Sequence, residues 1–266
     1  MVSRTPPRLP LSRELLRAAR VAGFGGLTAA LLPGLIAHER LTAEPRRNEV
    51  RRRWVGVWAD SLLRIFGVQA IVRRGAAHTL ATGKGRLVVA NHRSTADVLL
   101  LLRTFGGRMV SRADLAGWPL VGAAARAAGT LFVDRASAAS GATAVRAIRS
   151  RLLAGDTIIV FPEGTTFPDD DVRPFHAGAF LAAARCDIDI VPVGLAYQSG
   201  SGAAFVGESF PAHLARMAAA RPSRVALCEG VPLPTGSSKA ASLRDEAHAE
   251  VQRLVLEARA LVDVPA

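Results

Sequence analysis

The chain has 266 residues, half of them hydrophobic, and a formal net charge of +12. This length is enough to bury a full core, as one large domain or as one domain with an appendage. The only two cysteines, Cys186 and Cys228, exclude a disulfide framework and are too few for a cysteine-based zinc site. A reducing compartment suits this composition, although a single bridge stays open.

Almost all of the positive charge is arginine, because Lys84 and Lys239 are the only lysines. Such a balance favours a polyanionic partner: nucleic acid, an anionic membrane surface or a phosphorylated substrate. The sequence has no zinc-finger spacing, helix-turn-helix pattern or aromatic-rich sheet motif. We therefore expect a membrane surface or a phosphorylated substrate, and no nucleic acid.

Residues 1–66 are predicted to form a basic N-terminal segment followed by a membrane-associated helical hairpin. Residues 1–20 carry five arginines and three prolines, which predicts a disordered start. Residues 21–37 contain no charge and as a helix would span about 25 Å, short of the ~30 Å hydrocarbon core. Pro33 and Gly34 are predicted to break this helix. Arginines lie on both sides of the stretch, so charge sets no orientation across a bilayer.

The second half of the hairpin shows apolar residues at helical spacing, among them Trp54 and Trp58. The two segments together favour a hairpin lying in one leaflet, with arginines at the lipid phosphates and tryptophans at the interface. Three alternatives stay open: a single spanning helix, a cleaved signal peptide, and two helices that cover a soluble core.

From residue 67 to 266, short β-rich runs alternate with helical patterns, which predicts one α/β domain with a mixed, mostly parallel sheet flanked by helices. The predicted strands cover residues 68–72, 87–90, 109–111, 130–133, 157–161, 188–195, 204–206 and 225–228. The predicted helices cover residues 95–105, 119–128, 138–153, 177–184, 211–220 and 242–261. Pro192 lies inside a predicted strand, which argues for a sheet edge or a bulge.

The segment 91–97 joins a buried strand to a buried helix and holds a histidine and a carboxylate five positions apart. Five residues of helix separate two side chains by about 140°, so His92 and Asp97 meet only if His92 lies in the turn. Ser94 or Thr95 would then be the N-cap, and Asp97 would orient His92 as a general base. The same letters fit a capping box, in which the carboxylate only bonds backbone N–H groups.

Polar residues also follow other predicted strands, where ligands of open α/β sheets gather. Arg112 and Arg135 stand at two such ends, and a guanidinium suits phosphate. At a third, Glu163 can bond a ligand hydroxyl, while the N–H groups of Gly164 and Thr165 can receive an oxyanion or a phosphate. Taken singly, each has a plainer alternative, namely a solvated loop charge or an ordinary Pro-Gly turn.

Four motifs in order make the chain resemble the membrane-associated glycerolipid acyltransferases, the family of 1-acyl-glycerol-3-phosphate acyltransferase. The motif N-H-x4-D matches residues 91–97, G-x-x-F-[IV]-D-R matches 129–135, F-P-E-G-T matches 161–165, and V-P-V matches 191–193. Together they cover roughly residues 68–230. The resemblance implies the glycerolipid acyltransferase fold and a location at the cytoplasmic face of the cell membrane.

The resemblance also implies the reaction: a fatty acyl group moves from acyl-CoA or acyl-ACP to the hydroxyl of a lysophospholipid, in the first instance 1-acyl-sn-glycerol-3-phosphate. The thioester is a co-substrate, and neither a metal nor a further cofactor is implied. The site residues expected are the catalytic pair His92 and Asp97, and the substrate-binding residues Arg112, Arg135, Glu163, Gly164 and Thr165.

Two departures from the family pattern bear on the acceptor. The third motif continues with residues 166–167 as Thr-Phe instead of Arg-Ser, and residues 175–176 read Phe-His where a basic pair is common. Another lysolipid, such as lyso-ornithine lipid, is therefore an alternative acceptor. Outside the transferases, a lipid hydrolase using the same pair and a non-catalytic lipid-binding membrane protein stay open.

Overall fold

The computed structural model describes residues 10–75, 83–134 and 138–263, which form a mixed sheet with helices on both faces. The helices are α1 (Leu11–Leu41), α2 (Glu44–Ile65), α3 (Thr95–Phe105), a 3₁₀ helix (Ala113–Gly117), α4 (Val121–Ala127), α5 (Ala138–Leu153), α6 (Gly178–Ala183), α7 (Phe210–Ala219) and α8 (Ala240–Val262). The strands are β1 (Val68–Arg73), β2 (Arg86–Ala90), β3 (Arg108–Arg112), β4 (Leu131–Val133), β5 (Thr157–Val160), β6 (Asp189–Tyr197), β7 (Ser223–Glu229) and β8 (Leu233–Pro234).

The strand order in the described sheet is β1-β7-β6-β2-β5-β3-β4, with β8 paired to the start of β6. The neighbours run parallel except for β7 and β8, which are antiparallel to β6. After their first residues, the central strands β2, β5 and β6 are mainly apolar, because both of their faces are covered. In β2, Leu87 and Val89 face one layer, whereas Val88 and Ala90 face the other. The predicted mixed, mostly parallel α/β fold is confirmed.

Two helical layers cover the sheet. The layer formed by α2, α3 and α7 packs on one face, and the layer formed by α5, α6 and α8 packs on the other. In α2, Val55, Ala59, Leu62 and Leu63 are at most 5% exposed, so this helix belongs to the core of the sheet domain. Division of the chain at residue 66 stays a prediction of how the sequence is organised.

Helix α1 contradicts two expectations about the N-terminus. It begins at Leu11, so the predicted disorder is wrong for residues 11–20, while residues 1–9 lie outside the described residues. It also continues through Pro33 for 31 residues, about 46 Å at 1.5 Å per residue. The residue next to Pro33, Gly34, is small because a Cβ there would lie 2.5 Å from the Trp54 ring. The predicted break is thus the contact point of the hairpin.

The outer surface of α1 is apolar and faces away from the protein. Among the described residues, α1 is the helix that is long and apolar enough to cross a membrane. An 18-residue window within it has a mean hydropathy of 1.5, and 11% of that window is buried. Leu11, Leu15 and Leu41 are 77%, 63% and 88% exposed. A helix that merely covered a soluble core would bury such residues, so this surface is suited to lipid.

A buried arginine, Arg20, attaches α1 to α7. Arg20 donates from Nη1 to the carbonyls of Ala218 and Ala220, 3.2 and 2.8 Å away, at the end of α7. These carbonyls lack partners within their helix, and a cation is favourable at a helix C-terminus. The hairpin is therefore fixed to the sheet domain at both of its helices.

One predicted strand is absent, and the edge position that was one of the two expectations for Pro192 is wrong. Residues 204–206 form no strand, because Phe205 instead donates its N–H to the Arg93 carbonyl at 2.8 Å and braces the loop after β2. Pro192 is not at an edge, since β6 lies between β2 and β7. Along β6, Pro192 lies between the residues that pair with β8 and those that pair with β7. On that side its carbonyl accepts the Gly230 N–H. The missing N–H therefore falls in a gap of the ladder.

Candidate active site

The first and third motifs, and the described part of the second, reach the carboxyl edge of the sheet, whereas V-P-V lies inside β6. Strands β2, β3, β4, β5 and β6 run in the same direction, so the residues that follow them gather at one side. The loop 91–94 after β2 and the loop 161–167 after β5 are directly joined, because Phe167 donates its N–H to the His92 carbonyl at 2.9 Å. Sequence spacing alone could not show this contact.

The Asn91 side chain holds the start of the loop 91–94 against the neighbouring strand β6. Its side-chain amide donates to the Leu195 carbonyl at 3.0 Å and accepts from the Leu195 N–H at 2.8 Å. The side chain thus continues the β2–β6 ladder one step beyond Ala90, where the backbone turns away. The first residue of the N-H-x4-D motif therefore has a structural role: it fixes the position of the backbone just before His92.

His92 and Asp97 are in contact as predicted. Asp97 Oδ2 lies 2.9 Å from His92 Nδ1 and accepts the N–H groups of Arg93 and Ser94 at 2.7 and 2.8 Å. Ser94 is the N-cap of α3, and its side chain accepts from the Ala96 N–H. The capping box and the histidine–carboxylate pair are therefore one structure, in which the cap holds the carboxylate that orients the ring.

The imidazole of His92 is fixed in one plane and one tautomer. Phe161 stacks on it with ring centroids 3.8 Å apart and an interplanar angle of 7°. Since Asp97 accepts at Nδ1, that nitrogen carries the proton and Nε2 presents a lone pair. The side chain is 18% exposed, and it forms part of a cavity wall. The ring is arranged to accept a proton from a group in that cavity.

Glu163 lies beneath the site rather than in it. Its buried carboxylate accepts the His92 N–H at 2.7 Å through Oε1 and the Arg173 N–H at 3.0 Å through Oε2. Burial raises its pKa, while these two N–H groups oppose that shift. Glu163 was expected to bond a ligand hydroxyl, but its two oxygens hold backbone. The structure therefore makes it a residue that positions the His92 backbone.

The remaining predicted binding residues divide into three outcomes. The Gly164 N–H donates to the Phe161 carbonyl at 3.1 Å within the turn, so it is not the oxyanion donor expected; Gly164 has a φ of +84°, which suits glycine. Thr165 is exposed at the cavity, and among the described residues none accepts its N–H. Arg112 also lines the cavity and pairs with Asp114 at 3.1 Å. Arg135 lies outside the described residues.

A cavity of about 1320 Å³ opens beside His92. Typical small-molecule sites have about 300–1,000 Å³, so this one has room for more than a compact metabolite. Its wall is mainly apolar and comes from both helical layers and from the hairpin; six representative lining residues are Phe24, Trp58, Leu99, Leu120, Ile148 and Met217. Such a wall fits a long hydrocarbon chain, with the reacting end at Nε2.

Two contacts of the site carry no signal in the sequence. Phe161 reads as the last residue of a strand and Tyr197 as a core residue, yet the first stacks on His92 and the second bonds Asp97. Both contacts join residues about 70 or 100 positions apart. Neither spacing nor periodicity marks them, and only strand order brings them together.

A histidine held by a buried carboxylate at the wall of a large, mainly apolar cavity is an arrangement suited to acyl chemistry on lipids. Residues 71–196 match the family model described as Acyltransferase. A lyso-ornithine lipid O-acyltransferase of Pseudomonas aeruginosa is 29% identical over 251 residues, which is 90% of this chain and 92% of that protein. A human 1-acyl-sn-glycerol-3-phosphate acyltransferase alpha is 31% identical over 132 residues, 48% of this chain and 46% of that protein.

The fold agrees with these matches. The crystal structure of the 1-acyl-sn-glycerophosphate acyltransferase PlsC from Thermotoga maritima superposes with a TM-score of 0.72 at 20% identity, covering 93% of this chain and 98% of that one. The chain is thus similar to these acyltransferases in sequence, and its fold matches PlsC over almost its whole length. The resemblance inferred from the four motifs is confirmed, and the chain is an enzyme associated with membranes.

Proposed function

We propose that this enzyme transfers a fatty acyl group from an acyl thioester, acyl-CoA or acyl-ACP, to the hydroxyl of a lysolipid. The observation that carries the proposal is the His92 ring, with Nδ1 on Asp97 and Nε2 at the wall of the apolar cavity. A hydrolase would use the same pair with water. The family match favours transfer to an acceptor.

The proposed reaction has two proton movements. The acceptor hydroxyl gives its proton to His92 Nε2 as its oxygen bonds to the thioester carbonyl carbon, and Asp97 stabilises the imidazolium that forms. The tetrahedral intermediate then collapses, the C–S bond breaks, and the departing thiolate takes the proton from Nε2. The thioester is already activated, so we propose no acyl-enzyme, no metal and no other cofactor.

We propose that the Thr165 N–H supports the oxyanion of that intermediate, because it points from the loop that is joined to His92 and has no acceptor among the described residues. Removing one such donor typically costs about 10²–10³-fold in kcat. Gly164 contributes by its left-handed φ, which turns the loop, rather than by its own N–H.

Two acceptors are candidates. The phosphate of 1-acyl-sn-glycerol-3-phosphate, the acceptor named for the human relative, suits Arg112 and Arg135. Lyso-ornithine lipid is named for the Pseudomonas aeruginosa relative that matches 90% of this chain. Arg112 is the arginine of the cavity wall in the described chain, and Asp114 already pairs with it, which leaves less positive charge for a phosphate. This pairing favours the second acceptor.

We propose that the enzyme works at an anionic membrane surface, on the cytoplasmic face of the cell membrane, where the acyl thioesters are made. The exposed apolar side of α1 supports insertion into one leaflet. Phe24 of α1 and Trp58 of α2 also line the cavity, so a lipid acceptor reaches His92 along the hairpin. The free, buried thiols of Cys186 and Cys228 suit a reducing compartment.

The test is release of free thiol from acyl-CoA and from acyl-ACP by membranes that contain the protein. Each donor is assayed alone, with 1-acyl-sn-glycerol-3-phosphate, and with lyso-ornithine lipid, and the acylated product is measured in parallel. His92→Ala should lower turnover by at least about 10²–10⁴-fold, the usual worth of general-base catalysis. His248→Gln is the matched control, because His248 bonds only the Val172 carbonyl among the described residues, away from the cavity.

Thiol release that needs one acceptor and His92 identifies the transferase and its substrate. Thiol release without any acceptor would instead indicate a hydrolase. Equal activity of wild type and His92→Ala contradicts the proposed base.

A further inference from the structure

Behind the catalytic pair, away from the cavity, lies the hydroxyl of Tyr197 at the end of β6. The residue is 2% exposed, and its oxygen is 2.5 Å from Asp97 Oδ1. The other carboxylate oxygen, Oδ2, already accepts from His92 and from two backbone N–H groups. The two oxygens of Asp97 are therefore held from opposite sides, and Tyr197 holds the one that faces away from the ring.

The tyrosine is the donor in this contact. An ionised carboxylate only accepts hydrogen bonds, so the phenolic O–H points at Oδ1. Burial raises the pKa of Tyr197 well above its ordinary value, and the negative charge of Asp97 adds to the shift. The phenol thus keeps its proton throughout the pH range in which a histidine base works.

We propose that Tyr197 is a positioning residue of the acyl transfer, and that its hydroxyl holds the Asp97 carboxylate with Oδ2 toward His92 Nδ1. The terminal torsion of an aspartate is broad, so donors on one oxygen alone leave the carboxylate free to turn. A donor on Oδ1 fixes that torsion and with it the direction of the imidazole. The inference rests on the proposed function, because it assigns Tyr197 a role only if His92 is the base.

The first test is Tyr197→Phe, which keeps the buried ring and removes the hydroxyl. A hydrogen bond to a charged group is strong, so we expect kcat to fall about tenfold or more, with the KM of thioester and acceptor within about twofold. This separation of kcat from KM identifies positioning. A tyrosine that only packs in the core would leave kcat per folded molecule unchanged, and that result overturns the inference.

Thr235→Val is the matched control. Thr235 is also fully buried, and its hydroxyl bonds the residue just before β6: it donates to the Ile188 carbonyl at 3.0 Å and accepts the Ile188 N–H at 3.1 Å. It lies beside the start of β6, whereas Tyr197 is at its end. We expect Thr235→Val to lower the melting temperature without changing kcat. An equal loss of kcat in both variants would also overturn the inference.

A second measurement covers the case in which Tyr197→Phe does not fold. Tyr197 is the only tyrosine of the chain, so growth on 3-fluorotyrosine labels this one position in the full-length protein. Its ¹⁹F resonance should shift in Asp97→Asn and stay in place in Thr235→Val. A resonance that does not respond to Asp97→Asn contradicts the contact. If the resonance shifts in Asp97→Asn but the wild-type protein transfers no acyl group, the proposed function is wrong and the contact stands.

Discussion

Within the described part of the chain, two histidine–carboxylate pairs have the same spacing and opposite surroundings. His92 and Asp97 are five residues apart and 2.9 Å in contact, and Glu208 and His213 are five residues apart and 3.0 Å in contact. The second ring is fully buried, whereas the first is 18% exposed. The difference lies at the far ring nitrogen: His213 Nε2 meets Thr95 Oγ1 at 3.0 Å, while His92 Nε2 faces the cavity.

The surroundings of the carboxylates differ as well. Arg216 binds Glu208, so its charge is shared with a guanidinium, whereas the donors on Asp97 are neutral backbone groups, one imidazole and one phenol. Burial lowers the pKa of His213, which keeps this ring neutral. A histidine–carboxylate pair is thus a base only where the second nitrogen is open to substrate. The buried pair instead ties α7 to the start of α3.

The largest effect that separates the two pairs is expected from removing each carboxylate charge. Asp97→Asn places an amide N–H₂ or carbonyl at Nδ1 and disturbs the tautomer, so kcat should fall about 10²-fold or more. Glu208→Gln keeps a hydrogen-bonding oxygen and should change kcat less than about threefold. Steady-state kinetics on both variants checks this, and a comparable loss of kcat in Glu208→Gln would show that the buried pair takes part in the chemistry.

A smaller effect is expected from the buried ring itself. His213→Gln leaves Thr95 Oγ1 and Glu208 with an imperfect partner, and the free energy of unfolding should fall by about 1–3 kcal/mol. Turnover by the folded fraction should persist, because the hydrogen bonds of the His213 ring within the described chain go to Glu208, Thr95 and Arg216 rather than to Asp97 or His92. Denaturant unfolding and kcat are measured on the same samples, with His248→Gln as a control for an ordinary half-buried histidine. Unchanged stability would show that the contact with Thr95 contributes nothing.

The smallest effect is a pH dependence of stability. The pKa of His213 is lowered from 6.5 in the folded chain, so below about pH 6.5 the unfolded chain binds the additional proton. Stability should therefore decline as the pH falls from 6.5 through the lowered value, and His213→Gln should remove that part of the decline. Glu163 titrates with the opposite sign, because its raised pKa makes the folded chain bind more protons above pH 4.5. Unfolding curves of wild type minus His213→Gln isolate the histidine.

Local patterns were sufficient for the elements that their own residues determine. The bounds of α3 and α5 agree with prediction because caps, glycines and period set them within the segment. Residues 204–206 misled because an apolar run near β-branched residues reads as a strand, yet its backbone partner is the loop at Arg93. Pro33 misled for the converse reason: packing of α2 against Gly34 outweighs the local cost of a proline in a helix.

The contact between His92 and Asp97 was predictable because both residues lie in one seven-residue segment, so their meeting depends only on where the helix starts. Tyr197, Phe161 and the Glu163 contact were not, because each depends on β2 lying between β5 and β6. The same strand order explains why Glu163 bonds backbone. Because β5 is the neighbour of β2, Glu163 lies beside the loop that follows β2 and accepts the His92 N–H. Long-range register is a property of the whole sheet and leaves no mark in a local pattern.

The Asn91 amide, which joins β2 to β6, affects how the enzyme unfolds and loses its activity. The Leu195 N–H is covered by a side chain between the two central strands, so its deuterium exchange requires these strands to separate. His92 is the next residue after Asn91, and it cannot leave its place while that junction holds. Heating should therefore give one transition, in which the slowest-exchanging amides and the acyltransferase activity disappear together.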